Sequence, residues 1–313
     1  MIAICGASGF VGQNLMEYLS NVEEISLRSE NWESLLFEKD IIINLVGKAH
    51  DHNGVATKQD YYYANIELTK NIFYAFLRSD AKLLIQISSI AAVEEFESND
   101  PLLEESNCNP SSWYGKSKRE AEVWLLSQLL PENKKLIILR PPMIHGPGDK
   151  GNLGLLYKFI SKGLPYPLAG FNNTRSFISI SNFNFYIGEI VKKYKNLENG
   201  IYHLSDNEAI STNEIINLIK KVSERKGISI TLPKFIVNII AGIGEIFPFP
   251  INKKKLKKLT SNLLVSNNKI NTKLEIHELP ETAKEGIIKT INWLMQVYIA
   301  LSWAHKLLQT LPF

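Results

Sequence analysis

Residues 2–5, Ile-Ala-Ile-Cys, run directly into Gly6-Ala7-Ser8-Gly9-Phe10-Val11-Gly12, and this junction constrains the fold more than any other part of the chain. A short apolar run without polar alternation reads as a strand buried on both faces. Glycines at 6, 9 and 12 then permit a tight turn, close approach of the backbone to a pyrophosphate, and close packing of a helix whose N-terminus faces the anion. The spacing is GxxGxxG rather than GxGxxG, so the signal draws its strength from the strand before it and the helix after it. Gly6, Gly9, Phe10, Val11 and Gly12 are therefore candidate cofactor residues, a glycine turn without a ligand being the alternative.

The same rhythm continues. Further apolar runs at 24–28, 41–46, 83–88 and 136–139 alternate with helix-length segments at 10–20, 32–37, 61–77 and 112–130. Strand alternating with helix predicts an α/β fold with a doubly wound parallel sheet. After Pro141-Pro142 the pattern changes, with loops at 146–148 and 163–167 around a helix at 153–161, and strands at 177–180 and 202–204 placed to return to the main sheet. Ser211 with Glu214 three residues on is a capping box for a helix over 212–224. Later helices are expected at 235–246, 254–264 and 281–298.

At 313 residues the chain has about twice the ~150 of a single domain. The expected division is a dinucleotide-binding domain of 1–140 plus about 174–204, a smaller interleaved C-terminal substrate domain of about 141–173 and 205–297, and an apolar tail at 298–313. A net charge of +3 offers no electrostatic footprint for nucleic acid. Two cysteines, Cys5 and Cys108, are too few for a disulfide framework, so a reducing cytoplasm is expected. The N-terminus reads as a strand rather than a signal peptide. Residues 291–304 carry no formal charge but fall short of the ~20 apolar residues of a spanning helix.

Three features carry chemistry. Tyr114 and Lys118, at i and i+4, share a helix face. A phenol is a poor base at its ordinary pKa of ~10, and a neighbouring ammonium stabilises the phenolate, so Tyr114 is suited to exchange a proton with a substrate hydroxyl. Ser88-Ser89 ends a buried strand at the carboxyl edge where ligands of doubly wound sheets bind. Leu27-Arg28 stands where an acidic residue would select NAD; an arginine suits a 2′-phosphate, and a solvated arginine is an equal alternative, which leaves NAD and NADP both open.

Taken together these residues resemble the extended short-chain dehydrogenase/reductases and, within them, the NAD-dependent epimerase/dehydratase family with its Rossmann fold. The resemblance spans about 1–297 and rests on an ordered set: the glycine loop, Asn44-Leu45-Val46-Gly47-Lys48-Ala49-His50, Tyr63-Ala64-Asn65-Ile66-Glu67-Leu68-Thr69, Ile87-Ser88-Ser89-Ile90, Tyr114-xxx-Lys118, and Arg140-Pro141-Pro142-Met143-Ile144-His145-Gly146-Pro147-Gly148. It implies Tyr114 as acid/base, Lys118 holding the nicotinamide ribose and lowering the tyrosine pKa, and Ser89 orienting the C4 oxygen. It further implies Leu45, Val46, Gly47, Asn65, Pro141 and Met143 beside the cofactor, and Asn152, Leu153 and Arg175 beside the substrate, Asn152 and Arg175 at its diphosphate. An amide and a guanidinium suit phosphate oxygens; a salt-bridged surface arginine is the alternative for Arg175.

The chain departs from the family pattern at His145 and at Val93-Glu94, in positions that border the sugar. Ile90-Ala91 follow Ser89 where dehydratases of the family place Asp-Glu, which disfavours dehydration. The short segment 28–40 resembles 4-ketosugar reductases and a subgroup of 4-epimerases of polysaccharide biosynthesis. His50 lacks a cluster of metal spacing and reads as a loop histidine, so no metal is expected.

The leading expectation is a UDP-hexose or UDP-N-acetylhexosamine 4-epimerase with NAD or NADP. The alternatives are an NADPH-dependent 4-ketoreductase of a nucleotide-linked 4-keto-6-deoxy sugar, and a non-catalytic dinucleotide-binding protein. Relatives imply a homodimer through the helices at 61–77 and 112–130. Residues 298–313, with lysines at 253–255, 257 and 258, suggest peripheral membrane contact at ~1 kcal/mol per basic residue near anionic lipid, a helix packed on its own domain being the alternative.

Overall fold

A computed structural model describes residues 1–49, 55–149, 151–163, 166, 170–224, 256–257 and 260–310. Its centre is a six-stranded parallel sheet of β1 (Ile2–Cys5), β2 (Val22–Ile25), β3 (Ile41–Asn44), β4 (Leu83–Ile87), β5 (Lys135–Arg140) and β9 (Gly200–His203), in the order β2-β1-β3-β4-β5-β9. In-register pairs such as Ile4↔Ile43 and Ile43↔Ile85 fix the central strands, which are buried throughout.

Continuous apolar runs make sense in such a sheet because alternate side chains enter different cores. Ile2, Ile4, Ile43, Ile85 and Ile137 face one side, where Phe183, Tyr186, Ile187 and Ile190 of α6 (Ile180–Lys193) pack on them. Ala3, Cys5, Ile42, Leu84 and Ile138 face the other, against Phe73 and Phe76 of α3 (Leu68–Arg78) and Leu125 of α4 (Trp113–Leu126). At roughly 1.5–3 kcal/mol for each large apolar side chain, these two faces supply the main driving force for folding.

Several elements differ from the sequence expectation. β2 lies at 22–25 rather than 24–28, because pairing Ile2↔Val22 sets its register and Leu27-Arg28 fall in the following turn. The segment expected at 177–180 forms β8 (Phe177–Ser179), which pairs with β6 (Met143–His145) away from the main sheet; only β9 joins it. The helix expected at 61–77 starts earlier, at α2 (Lys58–Tyr62) behind a Thr57/Asp60 capping box, and passes through a π turn, Tyr63–Glu67, into α3. From β2 to β3 the chain makes only a tight turn at Ser34–Leu36, so the sheet lacks the outermost strand of the six-stranded doubly wound order.

A second core joins Leu153, Tyr157 and Ile160 of α5 (Asn152–Ser161), Ile215, Ile216 and Ile219 of α7 (Thr212–Val222), and Ile287, Ile291 and Leu294 of a long terminal helix, Ala283–Thr310. Ser211 and Glu214 cap α7 as their spacing foretold. Beside this core, β7 (Thr174–Arg175) pairs with β10 (Ile210–Ser211), and Arg175 bridges to Leu263. The terminal helix runs through position 298 without interruption, so the tail is helical as far as Thr310. Among the described residues no helix is long and apolar enough to cross a membrane. The helix expected at 235–246, the lysines at 253–255 and 258, and His50 lie outside the described residues.

Candidate active site

The carboxyl ends of β1, β3 and β4 meet at one crevice, where the strand order reverses direction. Gly6 follows β1 with a φ of +88°, and a Cβ there would stand 3.1 Å from both the Leu45 carbonyl carbon and the Val46 nitrogen. A side chain is excluded both by that approach and by the left-handed backbone. Gly12 sits so close to Ala7 that a Cβ would come within 2.6 Å of its carbonyl oxygen. Gly9 precedes α1 (Phe10–Tyr18), whose first turn holds no acidic residue and no side-chain cap. The amides of that turn are oriented for an anion, so the loop fits a dinucleotide diphosphate.

Around this loop the other expected cofactor residues gather. Leu45 donates its N–H to the Cys5 carbonyl at 2.9 Å, and Val46 donates to Asn44 Oδ1 at 2.9 Å, which curls 44–47 over the end of β3. Asn65, buried in the π turn, accepts from the Lys48 N–H at 2.9 Å and donates to the Lys48 carbonyl at 3.1 Å and the Ser117 hydroxyl at 2.9 Å. Pro141 accepts from the Ile90 N–H at 2.9 Å, and Met143 is half-buried on β6. Phe10 lies under the loop 146–148, where a Cβ on Gly148 would be 3.3 Å from its ring. Arg28 is exposed, three residues past the end of β2.

The structure brings Ser89, Tyr114 and Lys118 together. Ser112 caps α4 by accepting from the Gly115 N–H at 3.1 Å, which places Tyr114 and Lys118 in its first two turns. Gly115 allows that helix to press on the Ala91 carbonyl and on Glu95, where a Cβ would be 2.6 Å from Glu95 Oε1. Ser89 accepts from the Ala91 N–H at 3.2 Å, and its hydroxyl acts on the Tyr114 phenol, favouring its ionised form. Lys118 donates from Nζ to the Ile87 carbonyl at 2.9 Å.

Burial pushes the Tyr114 phenol above its ordinary range; the Ser89 hydroxyl opposes that rise and the Glu95 charge adds to it. Burial also lowers the Lys118 ammonium to about 8, with Glu122 pulling the other way. The two shifts run apart, the phenol upward and the ammonium downward, so burial rather than the neighbouring ammonium sets the Tyr114 phenol and the expected lowering of its pKa by Lys118 does not appear.

Arg175 lies elsewhere on the same wall. Its Nη1 donates to the Phe96 carbonyl at 3.0 Å and the Ser261 carbonyl at 3.1 Å, and burial lowers it to about 10. These partners are neutral carbonyls, not the carboxylate of a surface ion pair. Two residues before it, Asn173 is buried with neither amide atom bonded among the described residues. Asn152 is the first residue of α5, and Leu153 is buried in the second core. Sequence reasoning missed Asn173, Glu95 and Glu122, since no local motif marks them.

Residues 2–204 match the family model described as NAD dependent epimerase/dehydratase family. The UDP-glucose 4-epimerase of Vibrio cholerae is 26% identical over 94% of this chain and 95% of its own. The N-acetyl-alpha-D-glucosaminyl-diphospho-ditrans,octacis-undecaprenol 4-epimerase of Escherichia coli O157:H7 is 24% identical over 93% of this chain and 94% of its own. Among solved structures, UDP-glucuronic acid 4-epimerase from Bacillus cereus in complex with NAD superposes with a TM-score of 0.74 at 17% identity, covering 95% of this chain and 99% of that one.

Proposed function

The chain belongs to the NAD dependent epimerase/dehydratase family, and from that premise we propose that it inverts C4 of a nucleotide-linked sugar, a UDP-hexose or UDP-N-acetylhexosamine. The observation that carries this reading is the Ser89–Tyr114 hydroxyl pair beside Lys118, followed by Ile90-Ala91 rather than a carboxyl pair. Those groups serve proton exchange at one hydroxyl, and nothing after Ser89 serves loss of water.

Tyr114 takes the proton of the C4 hydroxyl while Ser89 holds the same oxygen. Lys118 balances the charge that the phenolate acquires. A nicotinamide of NAD or NADP held by the glycine loop and Lys118 would supply a reversible hydride acceptor for C4. The 4-keto sugar turns over so that hydride would reach the opposite face of C4, and Tyr114 gives its proton back to the same C4 oxygen. Residues 1–140 with about 174–204 hold the dinucleotide. Residues of about 141–173 and 205–297 hold the substrate, with Asn152 and Arg175 at the diphosphate; guanidinium and amide donors match its oxygens.

Exposed Arg28 favours a second reading, an NADPH-dependent 4-ketoreductase. One experiment separates the two: purified protein is offered UDP-sugars and 4-keto sugars in turn, with the nicotinamide followed by absorbance. Interconversion of two UDP-sugars without net cofactor oxidation supports the epimerase; stoichiometric oxidation dependent on a keto sugar supports the reductase. Unchanged turnover in Tyr114→Phe would overturn the assignment of Tyr114, and no turnover of either substrate class by the wild-type protein would return the chain to a non-catalytic binding role.

Two assembly features belong to the same reading. Tyr63, Tyr74, Trp113, Val123 and Leu126 are large apolar residues exposed on the π turn, α3 and α4, which fits a homodimer seam testable by light scattering. The apolar tail at 298–313, beyond Ile291 and Leu294 of the second core and with Ile299 half-exposed, fits peripheral membrane contact of an otherwise cytoplasmic enzyme. Vesicle co-sedimentation that survives deletion after Val297 would remove that element.

A further inference from the structure

Glu122 stands one turn beyond Lys118 on α4 and is 1% exposed. Its Oε1 accepts from the Ser88 hydroxyl at 2.6 Å and from Arg140 Nε at 2.8 Å, and its Oε2 accepts from Arg140 Nη2 at 2.7 Å. Arg119 reaches the second oxygen at 3.3 Å. Ser88 is the neighbour of Ser89, and Ile87 on its other side gives its carbonyl to Lys118. One carboxylate thus joins the helix that carries Tyr114 and Lys118 to the strand end that carries Ser89, and both to the end of β5.

The local charge balance matters as much as the geometry. Lys118 and Arg140 are both buried, and Glu122 is the anion between them. The groups that face this pair are Tyr114 and Arg119 on α4, Glu95 after the turn that Ser89 caps, Cys108 before α4, and His203 on β9. Lys118 is affected by Glu122, whose charge favours the ammonium against the cost of burial.

We propose that Glu122 is a positioning residue for the reaction, keeping Lys118 protonated at working pH and holding Ser89 in register with Tyr114. The proposal rests on the acid–base assignment of Tyr114 and Lys118 made above.

Three variants test it: Glu122→Gln, Ser88→Ala, and the double variant Glu122→Gln/Arg140→Gln. Two readouts are taken, the pH profile of kcat and the tyrosinate difference spectrum of the substrate-free protein, with Tyr114→Phe subtracted. In Glu122→Gln the alkaline limb of kcat moves to lower pH by about one unit, while Tyr114, which ionises where Lys118 is already neutral, does not titrate at higher pH. Ser88→Ala lowers kcat several-fold at unchanged KM and leaves the limb in place. Removing one partner of a buried ion pair is costly, so where the single variant does not fold the double variant, which removes Glu122 and Arg140 together, carries the test: the limb moves the same way but by less, because Arg140 no longer repels Lys118. A folded Glu122 variant with a wild-type limb overturns the proposal, as does unchanged kcat in Ser88→Ala. Failure of the underlying assignment gives a different result, full turnover in Tyr114→Phe.

Discussion

Gly47 and Lys118 face each other across a gap with no room for a methyl group: a Cβ on Gly47 would stand 3.0 Å from Lys118 Nζ and 2.6 Å from Asn65 Oδ1. The loop after β3 therefore bounds the space in which the ammonium can move. Gly47→Ala should displace Lys118 by a few tenths of an ångström and weaken dinucleotide binding about tenfold, ~1.4 kcal/mol, with little change in melting temperature. Fluorescence titration with the dinucleotide checks this, and unchanged affinity would remove Gly47 from the cofactor wall.

Tyr114 and Ser89 act on the same substrate oxygen in this reading but differ in role. Tyr114→Phe removes the group that moves the proton and should lower kcat by about 10²–10⁴-fold. Ser89→Ala removes a neutral hydrogen bond, worth roughly 0.5–1.5 kcal/mol, and should cost about tenfold or less. Steady-state rates of the two variants at one pH give the ratio; equal losses would mean that Ser89 does more than orient an oxygen.

Asp206 is buried, with Oδ1 accepting from Asn182 Nδ2 at 2.8 Å and from the Ser179 N–H at 3.2 Å, while Oδ2 has no partner among the described residues. Burial raises its carboxyl to about 7, against an ordinary unfolded value of ~3.9. Between those values the folded state holds more protons, so this group's contribution to stability falls as pH rises. Asp206→Asn should stabilise the protein increasingly from pH ~4 to ~7 and by a constant amount above, on the order of 4 kcal/mol. Denaturant melts at pH 5 and pH 8 measure the difference; a gain equal at both would contradict it.

Histidines act in the opposite sense. His145 bonds Thr290 Oγ1 through Nδ1 at 2.9 Å, and burial lowers it to about 4; burial lowers His203 to about 3, with Arg140 beside it contributing. Their unfolded value is ~6.5, so the unfolded chain takes up protons first and stability falls as pH drops below ~6.5. His145→Gln should flatten the stability profile between pH ~6.5 and ~4 by close to one proton, ~1.4 kcal/mol per pH unit. The slope from denaturant melts across that range reads it directly.

What the sequence disclosed depended on how local each signal was. Gly6, Gly9 and Gly12 belong to one strand–turn–helix junction, and Ser211 with Glu214 to one helix end, so their neighbours in the chain are their neighbours in space. Tyr114 and Lys118 needed only helix periodicity. Glu122 and Arg140 sit 18 residues apart on different elements, and their pairing depends on the registry of α4 against β5. Arg175 reaches carbonyls 79 and 86 positions away, a relationship that no spacing rule encodes. The strand at 177–179 carries the apolar pattern of the main sheet, yet pairs with β6, because partner choice among similar strands is a matter of topology.

The missing outer strand leaves β2 as the sheet's edge among the described residues. An edge strand with free amides invites a second chain to add itself by backbone pairing. Here the strand reads Val-Glu-Glu-Ile, with Glu24 exposed and Glu23 held by Lys39 at 2.8 Å. Two adjacent carboxylates set against the same pair on another copy repel it, so the shortened connection from β2 to β3 is compatible with a protein that does not stack edge to edge.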